Sequence, residues 1–163
     1  MSTLWGNPVH FENVDARQRI TNRIDARRRR RSAAKAVYLV ARLLLGFLFG
    51  VLGLNGFLHF LPNPPYIPPA AATFAATMAT THFSYFVFGV QVICGFLVLF
   101  NRYVPLAIVT LAAVIANILA FHITMWPSAL IPMPIIATVL WFIVAWSIRP
   151  AFAPLLAQKV EAV

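Results

Sequence analysis

The sequence predicts an all-α integral membrane protein. The predicted architecture is a four-transmembrane-helix bundle with both termini in the cytoplasm and a short outer-surface helix between helices 1 and 2. Of the 163 residues, 61% are apolar and 10% are charged, whereas a soluble domain has about 45–50% apolar and about 25% charged residues. Nine of the 13 Lys and Arg residues precede residue 36. This composition excludes a water-soluble enzyme and a disordered chain.

Four apolar stretches have about the ~20 residues that are needed to cross a ~30 Å hydrocarbon core. The predicted spans are 36–61, 82–100, 104–125 and 129–148. Residues 62–69 are too rich in proline for a helix, whereas residues 70–80 favour one, so we expect a short helix lying across the outer surface. The turns at 101–103 and 126–128 are short and make the helices that they connect antiparallel neighbours.

The basic residues predict the orientation, because Lys and Arg near the ends of spans stay in the cytoplasm. The N-terminus, Arg102 and the C-terminus then share the cytoplasmic side, and loops 62–81 and 126–130, which contain no Lys or Arg, lie on the other side. Arg42, about one turn inside the first span, is expected to extend its guanidinium to the inner head groups. The predicted regions are a basic cytoplasmic arm, a membrane bundle and a cytoplasmic tail, over residues 1–35, 36–150 and 151–163.

A run of arginines comes shortly before the first span. Clustered basic residues bind the phosphates of nucleic acids. Next to a span, however, positive-inside anchoring and anionic lipid explain them better, at about 1 kcal/mol for each basic residue near the surface. We therefore expect membrane lipids or a protein partner here, and no nucleic acid. The predicted contact residues are Arg27, Arg28, Arg29, Arg30, Arg31 and Lys35.

Acidic residues are confined to the two ends of the chain. They are Glu12, Asp15, Asp25 and Glu161, so that residues 36–157 contain no carboxylate. A carboxylate proton relay, a paired-carboxylate acid–base site and a carboxylate metal site are therefore excluded from the membrane part. We predict no catalytic residue, and we do not expect the chain to catalyse a reaction alone.

Small residues form a stripe along the first predicted span. Gly46, Gly50 and Gly53 would let another helix approach closely. At 100° per residue, Asn55 and His59 fall on nearly the opposite side of a regular helix. We expect one of these faces to pack into the bundle and the other to contact an oligomer partner.

Three predicted spans each contribute one amide side chain, namely Asn55, Gln91 and Asn117. A polar side chain within a membrane is costly unless it finds a partner or lines a cavity. One interpretation is an interhelical hydrogen-bond cluster that fixes helix packing. The other is a set of donors for the carbonyl oxygens of a quinone head group.

Three histidines are expected near the outer interface, at the ends of predicted spans. In the plainest interpretation they are only amphipathic side chains, but an imidazole can also donate a hydrogen bond to a quinone and accept a proton near neutral pH. Haem or a metal is a weaker alternative, because no H-x-x-x-H or C-x-x-C-H spacing supports it. The candidate quinone-binding residues are His59, His122, Asn55, Gln91, Asn117 and His82.

Two segments carry the pattern of a family. They are ARLLLGFLFGVLGLNGFLHFLP over residues 41–62 and QVICGFLVLFNRYVPLAIVTLAAVIANILAFH over residues 91–122. With these segments the chain resembles the bacterial DoxX-like membrane proteins over about residues 36–150, most distinctively in GLNGFLHF and NRYVPLA. The resemblance implies a four-helix bundle in the bacterial cytoplasmic membrane.

Relatives within that family are linked to redox systems. Some resemble the membrane subunit of thiosulfate:quinone oxidoreductase, others are associated with thiol or superoxide defence assemblies, and many have no known activity. The resemblance assigns no catalytic residue, although four of the candidate residues lie inside the matching segments. These four are Asn55, His59, Asn117 and His122.

Two functions from different classes follow from these observations. The first is a small membrane subunit of a redox-linked assembly that holds quinone in the outer half of the bundle and works with other membrane or redox proteins. The second is a structural accessory subunit, alone or as a homo-oligomer, that binds protein partners and lipid without a redox cofactor. A solute transporter would also need polar residues in the inner half of the bundle, and these are nearly absent.

Overall fold

The computed structural model describes residues 8–62 and 64–156. It is 85% helical and contains no strand within these ranges, which confirms the all-α class. The chain divides into two compact units, Met1–Val37 and Tyr38–Val163. The end of the predicted tail, residues 157–163, lies outside the described residues.

The first helix, α1, covers Pro8–Gly46. It therefore begins well before residue 36, where the apolar pattern starts the first predicted span. The reason is that apolarity marks a span and not a helix, and the arginines and alanines of residues 26–36 are strong helix formers. Residues 18–37 are exposed throughout.

The helix type changes after Gly46. A π-helical segment, Phe47–Val51, is followed by a 3-10 segment, Leu52–Leu54, and by the short helix α2, Asn55–Leu58. The expectation of one regular helix to residue 61 is therefore wrong, and so is the angular placement of Asn55 that rested on it. Glycines weaken helical regularity at this point, and π-helical turns occur mostly as single-turn bulges inside α-helices.

The remaining helices agree with the sequence pattern to within a few residues. The short outer helix predicted at 70–80 corresponds to α3. The last predicted helix begins four residues late, because a 3-10 turn at Pro127–Ala129 precedes it. The bounds are α3 Pro69–Thr80, α4 Phe83–Leu99, α5 Val104–Met125 and α6 Met133–Ser147, after which a 3-10 segment covers Arg149–Leu156.

Among the described residues, two helical stretches are long and apolar enough to cross a membrane. They are Gln18–Leu58 and Val104–Met125. Two further pairs of helices reach this length only if each bent pair counts as one span. The first pair is Pro69–Thr80 with Phe83–Leu99, which is bent by 90°. The second is Met133–Ser147 with Arg149–Leu155, which is bent by 79°. The structure therefore has between two and four candidate spans.

The first predicted span packs against α4 through glycines. A Cβ at Gly46 would lie 2.7 Å from the main-chain nitrogen of Leu99, and one at Gly95 would collide with the backbone of Gly50. The pairing is antiparallel and regular, because positions increase along one segment as they decrease along the other. The facing pairs are Gly46 with Leu99, Gly50 with Gly95, Gly53 with Val92 and Gly56 with Phe88.

Large apolar side chains from several helices complete the core. α4 packs on α5, and α5 packs on α6. One polar contact joins the last two helices, since the indole Nε1 of Trp141 donates to the main-chain oxygen of Ile108 at 2.8 Å. The largest fully buried side chains are Phe49, Leu45, Ile108, Leu111, Val98 and Val144.

Arg42 is directed inward, and the expectation that it extends to the head groups is wrong. Only 8% of the residue is exposed, and its Nη1 donates to the main-chain oxygens of Val98 at 2.6 Å and Leu99 at 3.0 Å. These carbonyls belong to the last turn of α4, where a helix leaves its acceptors unbonded. A cation there also complements the negative end of the helix dipole.

Substitution of Gly95 by alanine tests the glycine packing. Gly95→Ala forces the backbones of the two segments apart, and we expect a loss of about 1–3 kcal/mol in the free energy of unfolding, the usual cost of overpacking. Gly89→Ala on the same helix is the matched control, because a Cβ there meets nothing within 4 Å. Thermal unfolding in detergent, followed by circular dichroism, measures both variants. An equal loss in the two would contradict the assignment.

Candidate functional site

A cavity of about 410 Å³ lies where the first span ends and α6 begins. Its walls come from the π-helical segment, the 3-10 segment, α2, α4, α5 and the start of α6. Three polar side chains reach it, Asn55, Gln91 and His122. The remaining wall is apolar, and the larger side chains in it are Leu48, Phe49, Leu52, Phe88, Ile118 and Met133.

Glycines bring α4 close enough to form one wall. A Cβ at Gly53 would lie 3.2 Å from Cγ2 of Val92 and 3.8 Å from Cβ of Gln91. A Cβ at Gly56 would collide with the ring of Phe88. A larger residue at Gly56 would therefore push Phe88 away from the first span, and one at Gly53 would crowd Val92, so that either change would alter this wall of the cavity.

The side-chain amide of Asn55 is hydrogen-bonded to the backbone through its oxygen. Its Oδ1 accepts a hydrogen bond of 2.7 Å from the main-chain N–H of Leu61, and its own carbonyl accepts the N–H of His59 at 3.0 Å. His59 has φ 50°, in the left-handed region, and ends α2 there. Asn55 thus fixes the path of the chain out of the helix, and its Nδ2 has no hydrogen-bond partner among the described residues.

Gln91 is half-buried on α4 and lines the cavity. Neither its Oε1 nor its Nε2 has a hydrogen-bond partner in the described part of the chain. Its amide offers one donor group and one acceptor to a ligand.

His122 lies in the last turn of α5 with a fixed ring. Its Nδ1 is 2.8 Å from the main-chain oxygen of Ile118, and a carbonyl only accepts, so Nδ1 carries the hydrogen. The ring stacks on Trp126 with centroids 6.3 Å apart and packs edge-on against Phe121. In the neutral ring Nε2 is then the acceptor, and it becomes a second donor when the ring is protonated.

The other candidate residues do not line the cavity. Asn117 is exposed on α5 and donates to its own helix, to the oxygen of Ala113 at 2.9 Å. His59 and His82 are exposed at helix ends, and His82 stacks on Tyr85. The three amides therefore do not form an interhelical cluster, because Asn55 and Asn117 each bond to main-chain groups nearby in sequence.

The glycine stripe and Asn55 also do not mark two separate faces. Gly53 and Asn55 both line the cavity, since the π and 3-10 segments rotate the chain away from a regular helix. In the described residues, no three His, Cys, Asp or Glu side chains come together in a group that could hold a metal ion.

The sequence did not indicate the apolar walls or the role of Gly56. The walls come from segments that lie far apart in the sequence, and only the tertiary packing brings them together. Gly56 stands three residues after Gly53, so extending the glycine stripe by one position was the available signal. The left-handed conformation of His59 was not predictable from the sequence, because residues other than glycine rarely adopt it.

Comparison of the chain with protein-family models, with curated proteins and with solved structures finds no match. The resemblance to the DoxX-like proteins therefore stays a prediction.

Replacement of Asn55 tests its role at the end of α2. Asn55→Ala leaves the N–H of Leu61 without its acceptor, and we expect the free energy of unfolding to fall by about 1 kcal/mol. Asn117→Ala is the matched control, because its amide bonds only within its own helix and alanine is the better helix former. Thermal unfolding in detergent compares the two. A stability of Asn55→Ala equal to that of the unmodified protein would contradict this role.

Proposed function

We propose that the protein is a small integral membrane subunit of a redox-linked assembly and that its cavity holds a quinone head group. The observation that supports this is the cavity itself, in which an amide without partners and a fixed imidazole face a mainly apolar space of about 410 Å³. Ligand sites of this size, apolar with a few placed polar groups, are typical of small-molecule binding.

The residues fit a head group of this kind. A quinone ring is flat and apolar, with acceptor oxygens on opposite edges, and it supplies a carrier of two electrons and two protons when bound. The amide of Gln91 donates to one oxygen, and Nδ2 of Asn55 is a further donor at the same cavity. The apolar walls suit the flat faces of the ring.

His122 provides the protonation chemistry in this proposal. With Nδ1 bonded to Ile118, Nε2 accepts a proton in the neutral ring and donates one in the charged ring. Its partner Trp126 holds the ring plane by stacking. The absence of carboxylates from residues 36–157 leaves histidine as the proton-exchanging side chain at the cavity.

The proposal predicts that quinone binding depends on Gln91 and His122. We expect Gln91→Leu and His122→Phe each to weaken binding of a short-chain quinone about tenfold, the effect of one lost hydrogen bond of about 1.4 kcal/mol. Quenching of tryptophan fluorescence in nanodiscs measures it, because Trp126 stacks on His122. Asn117→Ala and His82→Ala, which lie outside the cavity, are the controls and should bind as the unmodified protein does.

Two outcomes would contradict the proposal. One is equal quenching in the unmodified protein and in Gln91→Leu, which would mean that quinone partitions into the lipid only. The other is native mass spectrometry of the protein from its own membranes that finds no bound quinone and no redox partner.

We also propose that the chain crosses the membrane four times with both termini in the cytoplasm. Arg42, Arg102 and Arg149 lie at one end of the helices, because Arg42 bonds the last turn of α4 and the other two lie where α5 begins and α6 ends. The segments at the opposite end carry no Lys or Arg. The positive-inside rule supports a cytoplasmic position for the end with the arginines.

Labelling of single cysteines tests this topology. In a Cys94→Ala background, we expect a membrane-impermeant maleimide to label Ser128→Cys in intact cells. The same reagent should label Ser32→Cys only after permeabilisation, because residue 32 belongs to the arm. Both positions are exposed. Labelling of both from the same side would contradict the four-span topology.

The alternative function is a structural subunit that binds lipid and protein partners without a redox cofactor. The exposed basic helix favours it, since the side chains of Arg27–Arg31 and Lys35 are all exposed. A cofactor-free native mass with phospholipid or a non-redox protein bound would support this alternative over the quinone proposal.

A further inference from the structure

Arg42 is a buried cation with an incomplete set of partners. The residue is 8% exposed, and Nη1 uses both of its hydrogens on the oxygens of Val98 and Leu99. Nε is enclosed by the protein and has no hydrogen-bond partner among the described residues. Nη2 has none there either.

The unbonded atoms of Arg42 lie on one edge of the guanidinium. The N–H of Nε and one N–H of Nη2 point in the same direction. Because Nε is enclosed, Nη2 is the group on this edge that an external oxyanion reaches, through a charge-assisted hydrogen bond. The carbonyl oxygens on Nη1 are neutral acceptors and leave the charge uncompensated. A buried charge is costly until a counter-ion neutralises it.

The described residues around Arg42 supply no such counter-ion. Residues 26–160 contain no Asp or Glu, so no carboxylate lies in the described part of the unit that holds Arg42. The anion therefore comes from outside these residues. An anion at the C-terminal end of α4 is unfavourable unless a cation lies between it and the helix carbonyls. Arg42 is that cation.

Arg102 lies beside the same helix end. Asn101 adopts φ 58°, and the N–H of Arg102 donates to the oxygen of Leu97 at 2.8 Å, which closes the last turn of α4. Arg42 caps that turn through Val98 and Leu99. The backbone thus brings two arginines to one helix end, and Arg102 is exposed.

We propose that Arg42 and Arg102 form a binding site for a phosphate oxyanion and that an anionic phospholipid head group supplies it. Arginine pockets between helices at the cytoplasmic surface are suited to anionic head groups. The site differs from the basic run at Arg27–Arg31, since it holds a buried guanidinium that the carbonyls of Val98 and Leu99 fix in place. It also lies at the opposite end of the helices from the quinone cavity and does not depend on it.

Native mass spectrometry of the full chain in a neutral detergent tests the site, with phosphatidylglycerol and phosphatidylcholine as probes. We expect selective retention of phosphatidylglycerol. Arg102→Gln should lower its affinity about fivefold, the share of one basic residue near an anionic surface. Arg42→Lys keeps the charge but lacks Nη2, and it should also lower the affinity. If Arg42→Lys fails to fold, the phosphatidylglycerol affinity of Arg102→Gln alone decides the test.

Arg149→Gln is the matched control, because Arg149 is exposed at the same end and its guanidinium stacks over the Trp146 ring, 4.9 Å from the centroid. Every variant keeps the arginine run, so that its contribution cancels. An equal loss in Arg149→Gln and Arg102→Gln would overturn the proposal, because it would show only a general surface-charge effect. Displacement of phosphatidylglycerol by inorganic phosphate would overturn the lipid as the source of the oxyanion.

Discussion

The close contact between the backbones at Gly50 and Gly95 is the constraint on which the rest of the structure depends. Apolar side chains gain little by leaving lipid for a helix interface, so helices in a membrane associate through close packing and hydrogen bonds. The glycines allow that packing along the whole length from Gly46 to Gly56. The register that results brings Arg42 to the end of α4 and brings Gln91 to the cavity.

That register also separates two kinds of polar chemistry. At one end, the last carbonyls of α4 are hydrogen-bonded by the side chain of Arg42 and by the turn that the left-handed residue Asn101 forms. At the other end, the π and 3-10 segments and Asn55 form one wall of the cavity, and Gln91 on α4 lies in another.

Much of the fold follows from the sequence, because helix positions depend on local apolarity and turn residues. The bounds of α4 and α5 and the presence of α3 were predictable in this way. The candidate site was predictable only in part. Gln91 and His122 stand out as polar residues in apolar helices, but the exclusion of Asn117 depends on which face of α5 meets α4. That choice is made by tertiary packing and has no local pattern.

The distribution of acidic residues has a consequence for the response of the protein to low pH. Acid unfolds most proteins by protonating carboxylates that the folded state needs in the ionised form. The helices from Tyr38 to Ser147 contain none, so acid has only histidines to protonate there. Acid that unfolds an ordinary soluble domain therefore finds no ionised carboxylate to neutralise in these helices.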